Sequence, residues 1–174
     1  MAFDLSVTAG NQYLFVLTSE IGFNFSSNCL IDGYHASSSP NWNQVQINGR
    51  SSPIIMFANT NPMMLSLNIP IFEIDEEEQG DVVKIGKSFL ALTKPTKPGV
   101  EPPPLCHITL GSFFEDWECV VASVDVHMGD HGIWNDDMDP ITGMISLQLM
   151  GVEVENVSAQ DIVASGDYKQ FATT

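Results

Sequence analysis

The stretch LCHITLGSFFEDWECVVASVDVHMGDHGIWNDDMDPITGMISLQLMGVEV, residues 105–154, decides the fold. It contains three runs in which apolar residues recur at about every second position: residues 105–110, 119–126 and 144–154. A period of two is the side-chain period of a pleated strand, so each run predicts a β-strand. Gly111 begins the first connection, and residues 129–140 form an acidic loop around Trp134.

The middle of the chain predicts a hairpin followed by a long strand. Residues 42–48 alternate and indicate a strand that lies against the body of the protein. The dipeptide Asn48-Gly49 is the strongest short hairpin signal, and residues 53–58 form the expected return strand. After a second turn, strict alternation over residues 63–72 predicts another strand.

One segment has the periodicity of a helix. Apolar residues recur at near-helical spacing over residues 82–92, and Asp81 is placed to cap the first turn. Gly86 weakens the prediction, because glycine is a poor helix former. Five prolines in residues 94–104 exclude a helix or a central strand there and indicate a semi-rigid connector. The chain is therefore expected to be mainly β with one principal helix, an α+β fold.

Length and charge limit the classes of function. A chain of 174 residues is expected to form one domain with a single core. Six basic residues against 22 acidic ones give a net charge of −16, which argues against binding to a nucleic-acid backbone. No apolar run is long enough to span a bilayer. The N-terminus lacks the basic residues that precede a secretory signal, so synthesis and retention in the cytoplasm are expected.

The cysteines and histidines give no strong sign of chemistry. Cys29, Cys106 and Cys119 show no metal-finger spacing, and the last two are expected to be buried small hydrophobes. His127 and His131, with nearby aspartates, are residue types that bind transition metals. A spacing of four residues brings side chains together only on a helix, however, and this segment is predicted to be a strand end and a loop. A solvated loop is the favoured interpretation. No nucleophile elbow or phosphate-binding loop is present, so no catalytic residue, cofactor or metal is expected.

The order of elements in the second half matches a known pattern. A proline lead-in precedes a strand, a glycine turn and a second strand, and a loop with Trp and Pro precedes a last strand. The residues that carry this pattern are Pro103, Pro104, Leu105, Ile108, Leu110, Gly111, Val120, Val124, Trp134, Pro140, Ile145, Leu147, Leu149 and residues 152–154. The pattern resembles the tail-tube-like baseplate proteins of contractile-tailed bacteriophages, the baseplate–tube junction or tube-initiator family.

This resemblance implies a domain organisation. It covers about residues 42–155 and implies a tail-tube-like β-barrel or sandwich there. Residues 1–41 are then expected to form an N-terminal arm with one or two strands. Residues 156–174 are expected to form a C-terminal tail.

The resemblance also implies a structural role in the virion. Subunits of the family form a homo-oligomeric ring, a hexamer, that initiates or adapts the tail tube, and their partners are other baseplate and tube proteins. DNA passes through the lumen without specific binding. The residues expected at ring-stacking contacts are Trp134, Asp130, Asp136, Asp137 and Pro140. The acidic residues expected to line the lumen are Glu73, Asp75, Glu76, Glu77, Glu78, Glu153 and Glu155.

The residues leave a second hypothesis open. In this alternative the chain is a free cytoplasmic β-barrel or sandwich that binds a metal or another ligand, with the loop of His127 and His131 as the candidate metal site. In this alternative the acidic charge serves solubility, because excess negative charge keeps a protein dispersed.

Overall fold

The strands and one helix account for most of the described chain. The computed structural model describes residues 3–5, 15–28, 30–72, 82–97, 99, 101–129, 134 and 138–152. The elements in chain order are β1 (Phe3–Leu5), β2 (Phe15–Ser19), β3 (Phe23–Ser27), β4 (Ile31–Ser37), β5 (Pro40–Val45), β6 (Ile54–Thr60), β7 (Met64–Phe72), α1 (Val82–Ala91), β8 (Cys106–Leu110), β9 (Phe114–Met128) and β10 (Thr142–Gly151). The expectation of a mainly β protein with one helix is confirmed for these residues.

Eight of the strands form one sheet. Their spatial order is β1-β3-β2-β8-β9-β10-β7-β4, and every neighbouring pair is antiparallel except β1 with β3. Strands β5 and β6 form a separate two-stranded antiparallel sheet. The predicted hairpin at residues 42–58 and the predicted strand at residues 63–72 are both present.

The core covers one face of the eight-stranded sheet. Leu147 of β10 lies opposite Leu67 of β7 and Val124 of β9, and residues directly opposite each other share a face. The same face continues through Ile108 of β8 to Leu17 of β2. Leu147, Leu67, Ile108 and Leu17 are all buried. Complete burial of such a side chain contributes roughly 1.5–3 kcal/mol, so this face holds most of the hydrophobic stabilisation.

Strand β9 changes its inward-facing positions midway. Trp117, Cys119 and Val121 are buried at odd numbers, whereas Val124, Val126 and Met128 pack against the core at even numbers. The pairing with β10 moves from Val121 to Ser123 between adjacent β10 residues, which leaves Ala122 as the extra residue of a β-bulge. The bulge keeps both halves of β9 facing the core.

Helix α1 packs on the core face of the sheet. The ring of Phe89 contacts the rings of Phe23 and Phe25 of β3, with centroids 5.1 and 5.0 Å apart. At Gly86 the helix comes so close to β9 that an added Cβ would meet Cε of Met128 and lie 2.9 Å from Cγ1 of Val126. The helix ends one residue before Leu92, which is buried, and Asp81 lies outside the described residues.

The sheet is strongly curled. Tyr34 on β4 contacts Phe113 and Phe114 at the start of β9, with ring centroids 5.7 and 6.4 Å apart. Strands β9 and β4 are three positions apart, which is about 14 Å in a flat sheet. The contact therefore requires the sheet to bend around its core face.

Two expectations differ from the structure. Residues 1–41 are expected to form an arm, whereas β2, β3 and β4 belong to the eight-stranded sheet and Phe15 and Leu17 are fully buried. The reason is that β2 and β3 carry alternating apolar side chains that are buried in the core, and Phe23 and Phe25 of β3 contact Phe89 of α1. The strand at residues 42–48 is expected to lie against the body, whereas β5 pairs with β6 alone. The tail at residues 156–174 lies outside the described residues.

Candidate assembly surface

The eight-stranded sheet has two open edges within the described part of the chain. Strand β4 pairs with β7 on one side, and β1 pairs with β3 on one side. Most of β4 is exposed. An edge strand presents backbone N–H and C=O groups in a row, which another strand can pair with. Each edge is therefore a surface on which a further chain can extend the sheet.

The β5–β6 hairpin follows directly from the β4 edge. Trp42 lies opposite Phe57 and Gln44 opposite Ile55, so these four side chains share one face. The rings of Trp42 and Phe57 meet edge to face, with centroids 5.5 Å apart. The opposite face has Asn43 opposite Met56 and Val45 opposite Ile54. Both faces of the hairpin therefore carry apolar side chains.

These apolar side chains are exposed. Six of the thirteen exposed large hydrophobic residues in the described part of the chain lie between residues 42 and 57. Ile55 is 60% exposed and Trp42 is 54% exposed. No other described element makes an extended contact with β5 or β6. Because an isolated two-stranded hairpin is marginally stable in water, a surface that covered these side chains would stabilise this element.

Hydrogen bonds close the base and the tip of the hairpin. At the base, the backbone N–H of Asn61 donates to the Ser39 carbonyl at 2.9 Å, and Nδ2 of Asn61 donates to Ser39 Oγ at 3.0 Å. At the tip, Arg50 N–H donates to the Ile47 carbonyl at 3.2 Å, and Gly49 has φ of 90°. Only glycine adopts that backbone conformation without strain, which explains the strength of the Asn48-Gly49 signal.

The hairpin lies in a segment without carboxylates. Residues 33–72, which include most of β4 and all of β5 to β7, contain no Asp or Glu, and Arg50 is their only Lys or Arg. All 22 acidic residues lie elsewhere in the chain. The segment is therefore close to neutral within a strongly acidic protein.

The structure describes two of the five residues expected at stacking contacts. Trp134 and Pro140 form a β-bridge, and Trp134 is 51% exposed. The indole lies over Gly129, where an added Cβ would be 2.7 Å from Cζ2 of Trp134. The remaining three, Asp130, Asp136 and Asp137, lie outside the described residues. So do all seven acidic residues expected in the lumen: Glu73, Asp75, Glu76, Glu77, Glu78, Glu153 and Glu155.

The cysteines in the described part of the chain are buried in the core. Cys106 lies opposite Cys119 on adjacent strands, and both are free thiols with no exposed surface. Burial, with a smaller contribution from the charge of Glu20, raises the pKa of Cys106 to about 11. Burial raises the pKa of Cys119 still further. Because the thiolate is the reactive form, both side chains act as small hydrophobes in the folded protein.

The described residues bring together no metal site. Among them, no group of three or more His, Cys, Asp or Glu side chains has an arrangement that could hold an ion. His127 lies on β9 opposite Met144, and His131 lies outside the described residues. No helix in the described chain is both long and apolar enough to cross a membrane.

Comparison with known proteins does not assign the chain to a family. No known family model matches the sequence, and no curated protein matches it either.

The sequence predicts both strands of the hairpin but not their exposure. The first strand is expected to lie against the body, because alternation alone does not indicate which element covers a strand. Two signals distinguish this hairpin in the sequence. Residues 54–57 are apolar at four consecutive positions, and the surrounding 33–72 segment lacks carboxylates.

Proposed function

We propose that this chain is a structural protein in the virion of a contractile-tailed bacteriophage. In this role it forms a homo-oligomeric ring in the baseplate and initiates or adapts the tail tube. The observation that supports the proposal is a curled sheet with two open edges among the described strands, from one of which an exposed apolar hairpin continues. Such surfaces can join protein subunits, and they favour an assembly role over chemistry on a small molecule.

The two edges suit a ring. Strand β1 runs parallel to its neighbour, whereas β4 runs antiparallel to its neighbour, so the edges differ from each other. A contact between two different surfaces is heterologous, and its repetition gives a ring when the rotation between neighbouring subunits closes, or a helical filament when it does not. In the proposed ring, the β4 edge of one subunit faces the β1 edge of the next.

The charge suits a conduit for DNA. A net charge of −16 repels a phosphate backbone, and carboxylates on the inner surface let DNA slide without being held. The proposed lumen residues are those of the acidic run at residues 73–78, together with Glu153 and Glu155.

Electron microscopy of purified virions tests the proposal. We expect the curled sheet to fit repeated density in a ring at the junction of baseplate and tube. Absence of the chain from purified particles would refute a virion role. Its presence away from the tube axis, or a ring with a basic bore, would refute the role as a DNA conduit.

A further inference from the structure

We propose that the β5–β6 hairpin docks on a second copy of this chain, which covers both faces of the hairpin. This inference deepens the ring proposed above and rests on that proposed function. It names the segment that joins the copies and the chemistry of the contact.

Exposed apolar side chains on both faces of the β5–β6 hairpin favour a partner that covers both faces. One face carries Trp42, Ile55 and Phe57, and the other carries Val45 and Met56. A strand pair that packs on its own domain commonly exposes one polar face to water, whereas each face of this hairpin carries several apolar side chains. Insertion into a neighbouring subunit removes both faces from water.

The exposed area is large enough for a specific contact. Six apolar side chains of the hairpin are roughly half exposed, which corresponds to on the order of 500 Å² of apolar surface. A standard interface buries about 800 Å² on each partner, so the hairpin with its polar rim approaches that size. The edge-to-face pair of Trp42 and Phe57 forms the aromatic centre that strong contacts typically contain.

The charge distribution favours another copy as the partner. Like charges brought into contact cost free energy, and most surfaces of a protein with a net charge of −16 repel one another. Residues 33–72 avoid this cost because they contain no carboxylate, and Arg50 at the hairpin tip adds an attraction. The segment that carries the exposed apolar cluster is thus the segment best able to approach an acidic copy.

The first test measures self-association of the purified chain by sedimentation velocity at concentrations up to about 1 mM. The double variant Trp42→Ser/Phe57→Ser is expected to raise the dissociation constant at least tenfold. Its matched control is Leu90→Ser, which removes a 41% exposed apolar side chain on α1, away from the hairpin and from the loop around Trp134, and is expected to leave association unchanged. Circular dichroism is expected to show the same folded sheet in all three proteins, because the hairpin contributes no residue to the core.

The second test probes the charge of the partner. Gln44→Glu adds a carboxylate to the hairpin at nearly constant shape, and Gln44→Lys adds the opposite charge at the same position. The glutamate variant is expected to associate more weakly than the lysine variant, and high salt is expected to reduce the difference. Contact of the hairpin with an acidic surface of the second copy predicts this order, whereas contact with a neutral surface predicts equal association of the two variants.

Three results would overturn the inference. They are a wild-type chain that stays monomeric up to about 1 mM, a Trp42→Ser/Phe57→Ser variant that associates like wild type, and equal association of the two Gln44 variants. Rings that form normally from the double variant would overturn the docking role of the hairpin and leave the proposed ring intact. Absence of the chain from virions would instead overturn the proposed function.

Discussion

The close approach of α1 to β9 explains why a glycine, which is a poor helix former, lies in the middle of the helix. A glycine in a helix interior costs about 1 kcal/mol relative to alanine, which is why it weakens a prediction from sequence. The structure supplies the compensation, because a Cβ at position 86 would require the side chains of Val126 and Met128 to shift. Local propensity and tertiary packing compete at this position, and packing prevails.

The variant Gly86→Ala is expected to be destabilised in spite of its better helix propensity. Overpacking costs roughly 1–3 kcal/mol, which offsets or exceeds the gain of about 1 kcal/mol in propensity. Urea unfolding measures the difference. Ala91→Gly at the last position of the helix is the comparison variant, since it changes propensity without a contact to β9. A Gly86→Ala protein about 1 kcal/mol more stable than wild type would show that the helix does not need this approach.

The buried thiols predict a loss of stability in alkali. The folded pKa of Cys106 is about 11, whereas the ordinary thiol value is 9.0, so the unfolded chain releases its proton first. Stability is therefore fully present below pH 9.0 and falls as pH rises toward 11, by on the order of 2 kcal/mol.

Unfolding measured at several pH values tests this expectation. The control is Cys106→Ala/Cys119→Ala, which lacks both thiols and is expected to lose less stability over the same interval. An equal loss in both proteins would assign the alkaline effect to other groups.

The hairpin illustrates which elements can be predicted from sequence and which contacts cannot. The turn at Asn48-Gly49 is encoded locally, and so is the strand at residues 63–72, because side-chain alternation and turn chemistry act between near neighbours. The membership of β2 and β3 in the main sheet depends on pairing with β8, nearly 90 residues further along the chain. No local pattern carries that information.

Gly49→Val is expected to disorder the hairpin without unfolding the sheet. Gly49 has φ of 90°, a conformation that a β-branched residue adopts only with strain. Hydrogen exchange at β5 and β6 is expected to accelerate at least tenfold, while the melting temperature changes little. The comparison is Gly111→Val, which strains the β8–β9 turn of the main sheet and is expected to lower the melting temperature. Equal melting losses would mean that the hairpin belongs to the core.

The molecule combines a stabilising sheet and an exposed hairpin that contributes little to the stability of the core. Leu147 lies at the centre of the buried face, whereas Ile55 is 60% exposed, although both are aliphatic residues within strands. Their burial could not be predicted from alternation, because both positions fit a strand with one apolar face. The two side chains differ in burial because β10 belongs to the sheet that packs against α1, whereas β6 belongs to the separate hairpin.

Introducing a charge at Leu147 or at Ile55 distinguishes the contribution of the main sheet to stability from that of the hairpin. Leu147→Asp buries an unpaired carboxylate at a cost of several kcal/mol, comparable with the whole stability of a small domain, and is expected to prevent folding. Ile55→Asp is expected to leave circular dichroism and the melting temperature of the chain unchanged. A folded Leu147→Asp protein would contradict the assignment of β10 to the centre of the core.

Position 122, the extra residue of the β9 bulge, tolerates substitution but does not tolerate deletion. Ala122 is exposed, so exchange for another small residue alters little in the packing. Its removal, however, would put the two halves of the strand out of phase: either Trp117, Cys119 and Val121 or Val124, Val126 and Met128 would turn toward water. For a chain of this fold, the number of residues between Cys119 and Val126 is therefore a stricter constraint on its evolution than the identity of the residue at 122.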